Sequence, residues 1–165
     1  MNIRTKIISA FPGVGKTHFH EQNLSTTLNL NFSHFNWVKN DKEINTKIKN
    51  PNFPQNYIEH IKENIGKYEY IFVSSHKEIR EELFNNCIFF YLIYPDDSRK
   101  DEFIQKHKDK GSPGEFINLI DNNWDEWLKE IYWINDGDGC KKIHMVLPTL
   151  SDELNHLNAV DEDKI

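Results

Sequence analysis

The run Lys6-Ile7-Ile8-Ser9-Ala10 followed at once by Phe11-Pro12-Gly13-Val14-Gly15-Lys16-Thr17 does most to limit what this chain can fold into. The first part is short, apolar and β-branched and reads as a buried strand; the run from Lys16 to about Asn23 reads as a helix. Between them, Gly13 and Gly15 permit positive φ, so successive backbone N–H groups can turn inward without Cβ atoms in the way. A strand, a glycine-rich turn and a helix start in that order make an anion cradle, because the unpaired N–H groups of the helix end point into it.

In that context the pattern is a P-loop. Ala10, Gly13, Val14, Gly15, Lys16, Thr17 and His18 are the candidate contacts to a nucleoside triphosphate. Lys16 reaches the β and γ phosphates, and the Thr17 hydroxyl is the candidate ligand of Mg²⁺. The pattern departs from the usual one only at Ala10, a small residue where glycine is common. ATP and Mg²⁺ are therefore the expected cofactors.

Downstream, strands and helices alternate. A weaker strand is expected over 28–32. A helix runs from Pro54, through Tyr57, Ile58, Ile61 and Ile65, to a stop at Gly66. A buried strand over 68–73 leads to a helix over 76–84, with Ser75 as its cap and Glu78 as the capping-box partner. The strongest strand covers 87–94. Asp97 or Ser98 caps a helix to about Lys108, and Gly111-Ser112-Pro113-Gly114 breaks the chain. A long helix over 115–133 carries the apolar stripe Phe116, Leu119, Ile120, Trp124, Trp127, Leu128 and Ile131. A turn over 135–139, a strand over 142–147, a helix capped by Thr149 or Ser151 and the acidic Asp161-Glu162-Asp163 complete the chain. Asp136-Gly137-Asp138-Gly139 lacks the bidentate Glu of a calcium loop and reads as a turn. Strands apolar on both faces that alternate with helices predict an α/β fold, with about five parallel strands and helices on both faces. A length of 165 residues suits one domain over 1–165.

Charge and cysteine usage remove several partners. The formal net charge is −6, which offers no general attraction to long nucleic acid or to an anionic membrane. No apolar run approaches the roughly 20 residues of a bilayer span. Cys87 and Cys140 are far from any CxxC spacing, which argues against a zinc site or a disulfide framework and for a reducing cytoplasm.

Taken with the loop, the order of elements resembles the nucleoside monophosphate kinase branch of P-loop proteins. Phe11 to Thr17 and 50–83, above all Ile71-Phe72-Val73-Ser74-Ser75-His76-Lys77-Glu78-Ile79-Arg80, are also similar to small proteins of bacteriophages that infect Gram-positive bacteria, usually labelled nucleotide kinases or ATPases. The resemblance implies a P-loop NTPase fold with sheet order 2-3-1-4-5, an acceptor-binding region over about 33–66, a lid-like region over about 98–115, and a host-cytoplasmic location if the chain is phage-encoded. It implies ATP-dependent phosphoryl transfer to a nucleoside or deoxynucleoside monophosphate, with Lys16, Arg80 and Arg99 as the catalytic cations. Arg80 would meet the acceptor phosphate, and Arg99 would act from the lid helix with Lys106, Lys108 and Lys110.

Each of these residues also has a plainer reading. Arg80 suits a solvated pair with Glu81 or Glu82, and the lysines suit a solvated face with pairs such as Glu102 and Lys106. His76 is either a base or phosphate contact or an exposed cap. Phe32-Ser33-His34-Phe35-Asn36-Trp37 either sandwiches the acceptor base, read at its edge by His34 or Asn36, or packs Phe35 and Trp37 into the scaffold.

Two absences narrow the chemistry. An alcohol acceptor needs a proton acceptor, usually an Asp after the second strand, and this chain offers Asn29, Asn31, Ser33 and His34 there. An acceptor phosphate needs no strong base, so the absence favours phosphate acceptors. The third strand ends in Ser74 and Ser75, with no acid to help Mg²⁺, which leaves the ion to Thr17, water and Ser74 or Ser75. With only Arg4, Arg80 and Arg99 in the chain, the alternative expectation is a nucleotide-binding regulatory or interaction protein with little turnover.

Overall fold

A computed structural model describes residues 3–38, 48–137 and 139–162. The stretch 39–47 of the expected acceptor region, Asp138 of the expected turn and Asp163 of the acidic end lie outside the described residues.

The apolar runs become strands β1 (Lys6–Ala10), β2 (Thr27–Asn29), β5 (Tyr70–Ser74), β6 (Phe90–Pro95) and β7 (Cys140–Met145) of one sheet. Two further strands, β3 (Trp37–Val38) and β4 (Ile48–Lys49), pair antiparallel apart from it. The five strands of the main sheet are all parallel and lie in the order β2-β5-β1-β6-β7. Counted along the chain within that sheet, this is 2-3-1-4-5. In β5 and β6 every residue is buried, as are Ile7 to Ala10 of β1. Successive strand side chains point to opposite faces, so both faces of the sheet centre are covered.

The helices are α1 (Lys16–Gln22), α2 (Ser33–Asn36), α3 (Gln55–Asn64), α4 (Lys77–Asn85), α5 (Lys100–Asp109), α6 (Gly114–Tyr132) and α7 (Leu150–Glu162). Two of their starts depart from the expected caps, and α7 keeps Thr149 as its cap. α4 begins at His76 with no side-chain cap, so Ser75 does not cap it. The short 3₁₀ turn Asp97–Arg99 that leads into α5 is held by Asp96, whose carboxylate accepts the Ser98 N–H at 3.1 Å. At α7, Thr149 and Asp152 exchange the reciprocal bonds of a capping box.

Packing between α5, α6 and the end of β1 fixes the side of the molecule that matters below. Trp124 is fully buried, edge-on to Phe11 at 5.2 Å and to Phe103 at 5.5 Å, and its Nε1 donates to the Asp97 carbonyl at 3.2 Å. Ile120, Leu128 and Ile131 continue that buried stripe, but Phe116 and Leu119 are 37% and 48% exposed. The first turns of α6 therefore stand proud of the core, beside a cleft. After β7 the chain turns over a buried carboxylate: Glu153 Oε1 accepts the N–H groups of Val146 and Leu147 at 2.9 and 2.8 Å. Among the described residues no helix is long and apolar enough to cross a membrane.

Truncation separates the buried middle of α6 from its exposed C-cap. Trp124→Ala removes a fully buried aromatic and should cost about 3–5 kcal/mol in denaturant unfolding. Trp133→Ala, at a position 78% exposed, should change stability by no more than about 0.5 kcal/mol. Equal losses would mean that α6 is not seated through Trp124.

Candidate functional site

The parallel register brings the carboxyl ends of three strands together, with Ala10 of β1 beside Ser74 of β5, and Asn29 of β2 beside Phe72. The turn that leaves β1 passes above them. Gly13 and Gly15 adopt φ of 93° and 104°, a region that L side chains rarely enter. Gly13 meets a second demand, since a Cβ there would stand 2.8 Å from His107 Nε2 and 3.0 Å from Phe103 Cδ2. Helix α5 thus lies directly on the turn, in contact that only glycine allows.

Two cavities meet at this turn. The inner one, about 380 Å³, is lined by Gly13, Lys16 and Thr17, by Asn29, Asn31, Phe32, Ser74, Ser75 and His76 from the ends of β2 and β5, and by His107, Lys110, Ser112 and Phe116 from α5 and the start of α6. The outer one, about 510 Å³, lies between Val14 and His18, Lys106 and Lys110, and the segment Pro148 to Ser151. Thr17 and His18, both exposed, therefore line different cavities. Lys106 and Lys110 border the outer cavity, and Lys108, exposed on α5, lines neither.

Charge at the inner cleft is unbalanced. Burial pulls the Lys16 ammonium below its ordinary value. Among the described residues no Asp or Glu lines this cleft. A desolvated cation without a carboxylate beside it is an anion site in waiting. His107 is buried as well, and burial and then Lys110 hold its imidazole below the ordinary value. Its Nδ1 lies 3.3 Å from the Ser112 hydroxyl. No hydrogen bond of ordinary geometry reaches its Nε2 among the described residues, although the Pro12 carbonyl acts on the ring as a partial partner.

The two arginines expected at the site are engaged elsewhere. Arg80 is 6% exposed; its Nη2 donates to Glu130 at 2.7 Å and its Nε to the Ser75 carbonyl at 2.9 Å. It borders a smaller cavity, about 160 Å³, behind His76, and its partner is neither Glu81 nor Glu82. Arg99 grips Glu102 with Nε and Nη2 at 2.6 and 3.0 Å, and donates to the carbonyls of Met145, Leu147 and Pro148. It is a clasp for the loop after β7, whose continuation walls the outer cavity. Lys106 makes the expected pair with Glu102 at 3.8 Å.

The aromatic segment divides. Phe32 lines the inner cleft, stacked on His76 at 4.1 Å. Phe35 turns to Tyr57 and His60 at 5.0 and 5.5 Å, which is packing. His34 is exposed, and Asn36 and Trp37 line none of the three cavities described here. Neither the Arg80–Glu130 pair nor the approach of His107 to Gly13 is visible in sequence as a motif. The second left a trace: Phe103 and His107 stand four apart on α5, one face of a helix.

The chain matches no protein-family model, and no curated protein matches it.

Substitutions in the turn separate its two demands. Gly13→Ala should lower stability by about 1–2 kcal/mol from the left-handed φ alone, seen as a lower thermal midpoint without nucleotide. Lys16→Ala removes a desolvated charge, so its midpoint without nucleotide should not fall, while the Mg·ATP-induced rise should shrink. A Lys16→Ala protein with the full rise would mean that 10–17 is only a turn.

Proposed function

We propose that the chain is a P-loop phosphotransferase that passes the γ-phosphoryl group of Mg·ATP to an acceptor of the nucleoside or nucleotide class. The observation that carries this reading is Lys16: a cation desolvated at the end of a glycine turn, in a cleft that no described carboxylate lines. A triphosphate supplies the missing negative charge. The sheet of parallel strands, with the turn at the carboxyl ends of its central strands, is the arrangement in which α/β proteins hold such ligands. The two cavities on either side of the turn offer room for two molecules, with the nucleoside of the donor outside, near His18 and Thr149, and the acceptor inside, between β2, β5 and the lid-like start of α6.

Thr17 is exposed beside Lys16 and lines the inner cleft, so its hydroxyl is placed to join Mg²⁺ brought in on phosphate oxygens. A magnesium ion that keeps most of its water and leans on substrate oxygens fits this single protein donor. When bound, it would supply neutralisation of phosphate charge; Lys16 adds to that from the protein, and His107 and Phe116 wall the cleft.

The family likeness makes a nucleoside or deoxynucleoside monophosphate the first acceptor to try. A second reading, a nucleotide-binding regulatory protein with little turnover, is favoured by the engagement of Arg80 and Arg99 in other bonds.

A coupled assay of ADP release decides between them. With Mg·ATP and each common nucleoside and monophosphate in turn, at least one acceptor should raise the rate above that with ATP alone. Lys16→Ala should lower that rate on the order of 10²–10³-fold. Firm ATP binding with no acceptor dependence would establish the regulatory reading instead.

A further inference from the structure

His76 lines the inner cleft and is held there by several contacts. Its Nδ1 is hydrogen-bonded to Ser74 Oγ, and its backbone N–H donates to the same oxygen at 3.2 Å. Its ring stacks on Phe32, tilted by 15°. Ser74 is itself anchored from two sides: its N–H donates to Tyr57 Oη at 3.0 Å, and its carbonyl accepts from Ser9 Oγ at 3.1 Å. Burial pushes the Tyr57 phenol up, so it stays protonated and donates to the Leu30 carbonyl at 3.0 Å. The imidazole is thus fixed by β1, α3 and the segment after β2, and among the described residues no hydrogen bond engages its Nε2. Burial first, then Lys16 and Arg80, hold its basicity below the ordinary value, which keeps the ring neutral near pH 7. Lys77, Glu130, His107 and Lys110 are the other titratable groups of the cavities it borders.

The same half of the cleft is poor in what an acceptor phosphate needs. Asn29, Asn31, Phe32, Ser74, Ser75 and His76 carry no formal charge, and Arg80 is turned into its pair with Glu130. Asn29, at the end of β2, keeps its Oδ1 buried without a hydrogen-bond partner. That is an acceptor oxygen in want of a donor, which a hydroxyl compound has and a phosphate dianion lacks.

We propose that the acceptor is a neutral alcohol of the nucleoside class, and that His76 is the catalytic base that takes the proton of the hydroxyl being phosphorylated. This rests on the phosphotransferase reading and replaces its monophosphate acceptor. In the step, the acceptor oxygen forms a bond to the γ-phosphorus while the bond from that phosphorus to the β–γ bridging oxygen breaks. The bridging oxygen keeps the electron pair and leaves on the nucleoside diphosphate. The hydroxyl proton passes to His76 Nε2, whose Nδ1–H donates to Ser74 Oγ, and is released to solvent after the product leaves. The sequence places no carboxylate base after the second strand; the fold supplies an imidazole from the end of β5.

The test uses the full chain with Mg·ATP and matched sets of nucleosides, deoxynucleosides and their monophosphates, with products separated by chromatography. Nucleosides should become monophosphates, and monophosphates should not become diphosphates. His76→Ala should lower kcat for the nucleoside about 10²–10⁴-fold and leave KM for ATP and the ATP-induced thermal shift unchanged. Added imidazole should restore part of that rate, which a merely structural role would not allow. Should the alanine variant fail to fold, His76→Phe keeps a ring on Phe32 and removes the base, and the same loss is expected. Conversion of monophosphates to diphosphates, or a His76→Phe protein at full rate, overturns the proposal while the phosphotransferase reading stands. Absence of any acceptor-dependent ADP release overturns both.

Discussion

A side chain at position 13 has nowhere to go, and much of the site depends on that. The backbone there is left-handed, and the space where a Cβ would point is taken by His107 and Phe103 of α5. The glycine therefore does two things at once: it lets the turn after β1 fold into a cradle, and it lets α5 close upon that cradle. Phe103 and Phe11 in turn pack against Trp124, so α6 is tied to the same spot. The inner and outer cavities exist because α5 stands over the turn, with Lys110 bordering both. Close packing makes such contacts stiff, since interiors tolerate little change in volume.

Charge is used sparingly around this centre. Of the arginines expected at the site, one is sealed against α6 through Glu130 and the other laces the loop after β7 to the start of α5. The Arg80 pair is only partly sheltered, with the Glu130 side chain 38% exposed, so its worth lies more in fixing α4 against α6 than in net stability. Glu153 and Arg99 together hold the loop after β7, one satisfying its N–H groups and the other its carbonyls. A loop fastened in this way can serve as the wall of a cavity without secondary structure of its own. What remains facing the inner cleft is Lys16, Lys110 and a set of neutral amide, hydroxyl and imidazole groups. Cations therefore stand on one side of the cleft, at Lys16 and Lys110, and neutral polar groups on the other, at Asn29, Ser74 and His76.

Several elements are legible in the sequence alone. The strand Lys6–Ala10 and the glycine turn after it, the helix that holds Tyr57, Ile58 and Ile61, and the long helix with Trp124 all follow from local periodicity and turn chemistry. The bounds moved by a few residues, as with the strand expected over 87–94 that runs Phe90–Pro95. The caps moved more, because Asp96 and His76 took positions for which Asp97, Ser98 or Ser75 were equally suited by type; a cap depends on where the preceding chain arrives.

The glycine turn and the alternation of strands and helices follow from the sequence alone, because both are written in neighbouring residues: two glycines beside Lys16 and Thr17, and apolar runs of fixed period. How distant residues share the site depends on three-dimensional packing. Arg80 and Glu130 are 50 positions apart, His107 reaches Gly13 across the cleft, and Ser74 is held by Tyr57 and Ser9. Partners of that kind are chosen by how strands line up and helices pack, and no local pattern records the choice. The same holds for His76, whose part was open in sequence between cap and contact, and whose place on Phe32 beside Lys16 was settled when β2 and β5 came to lie side by side.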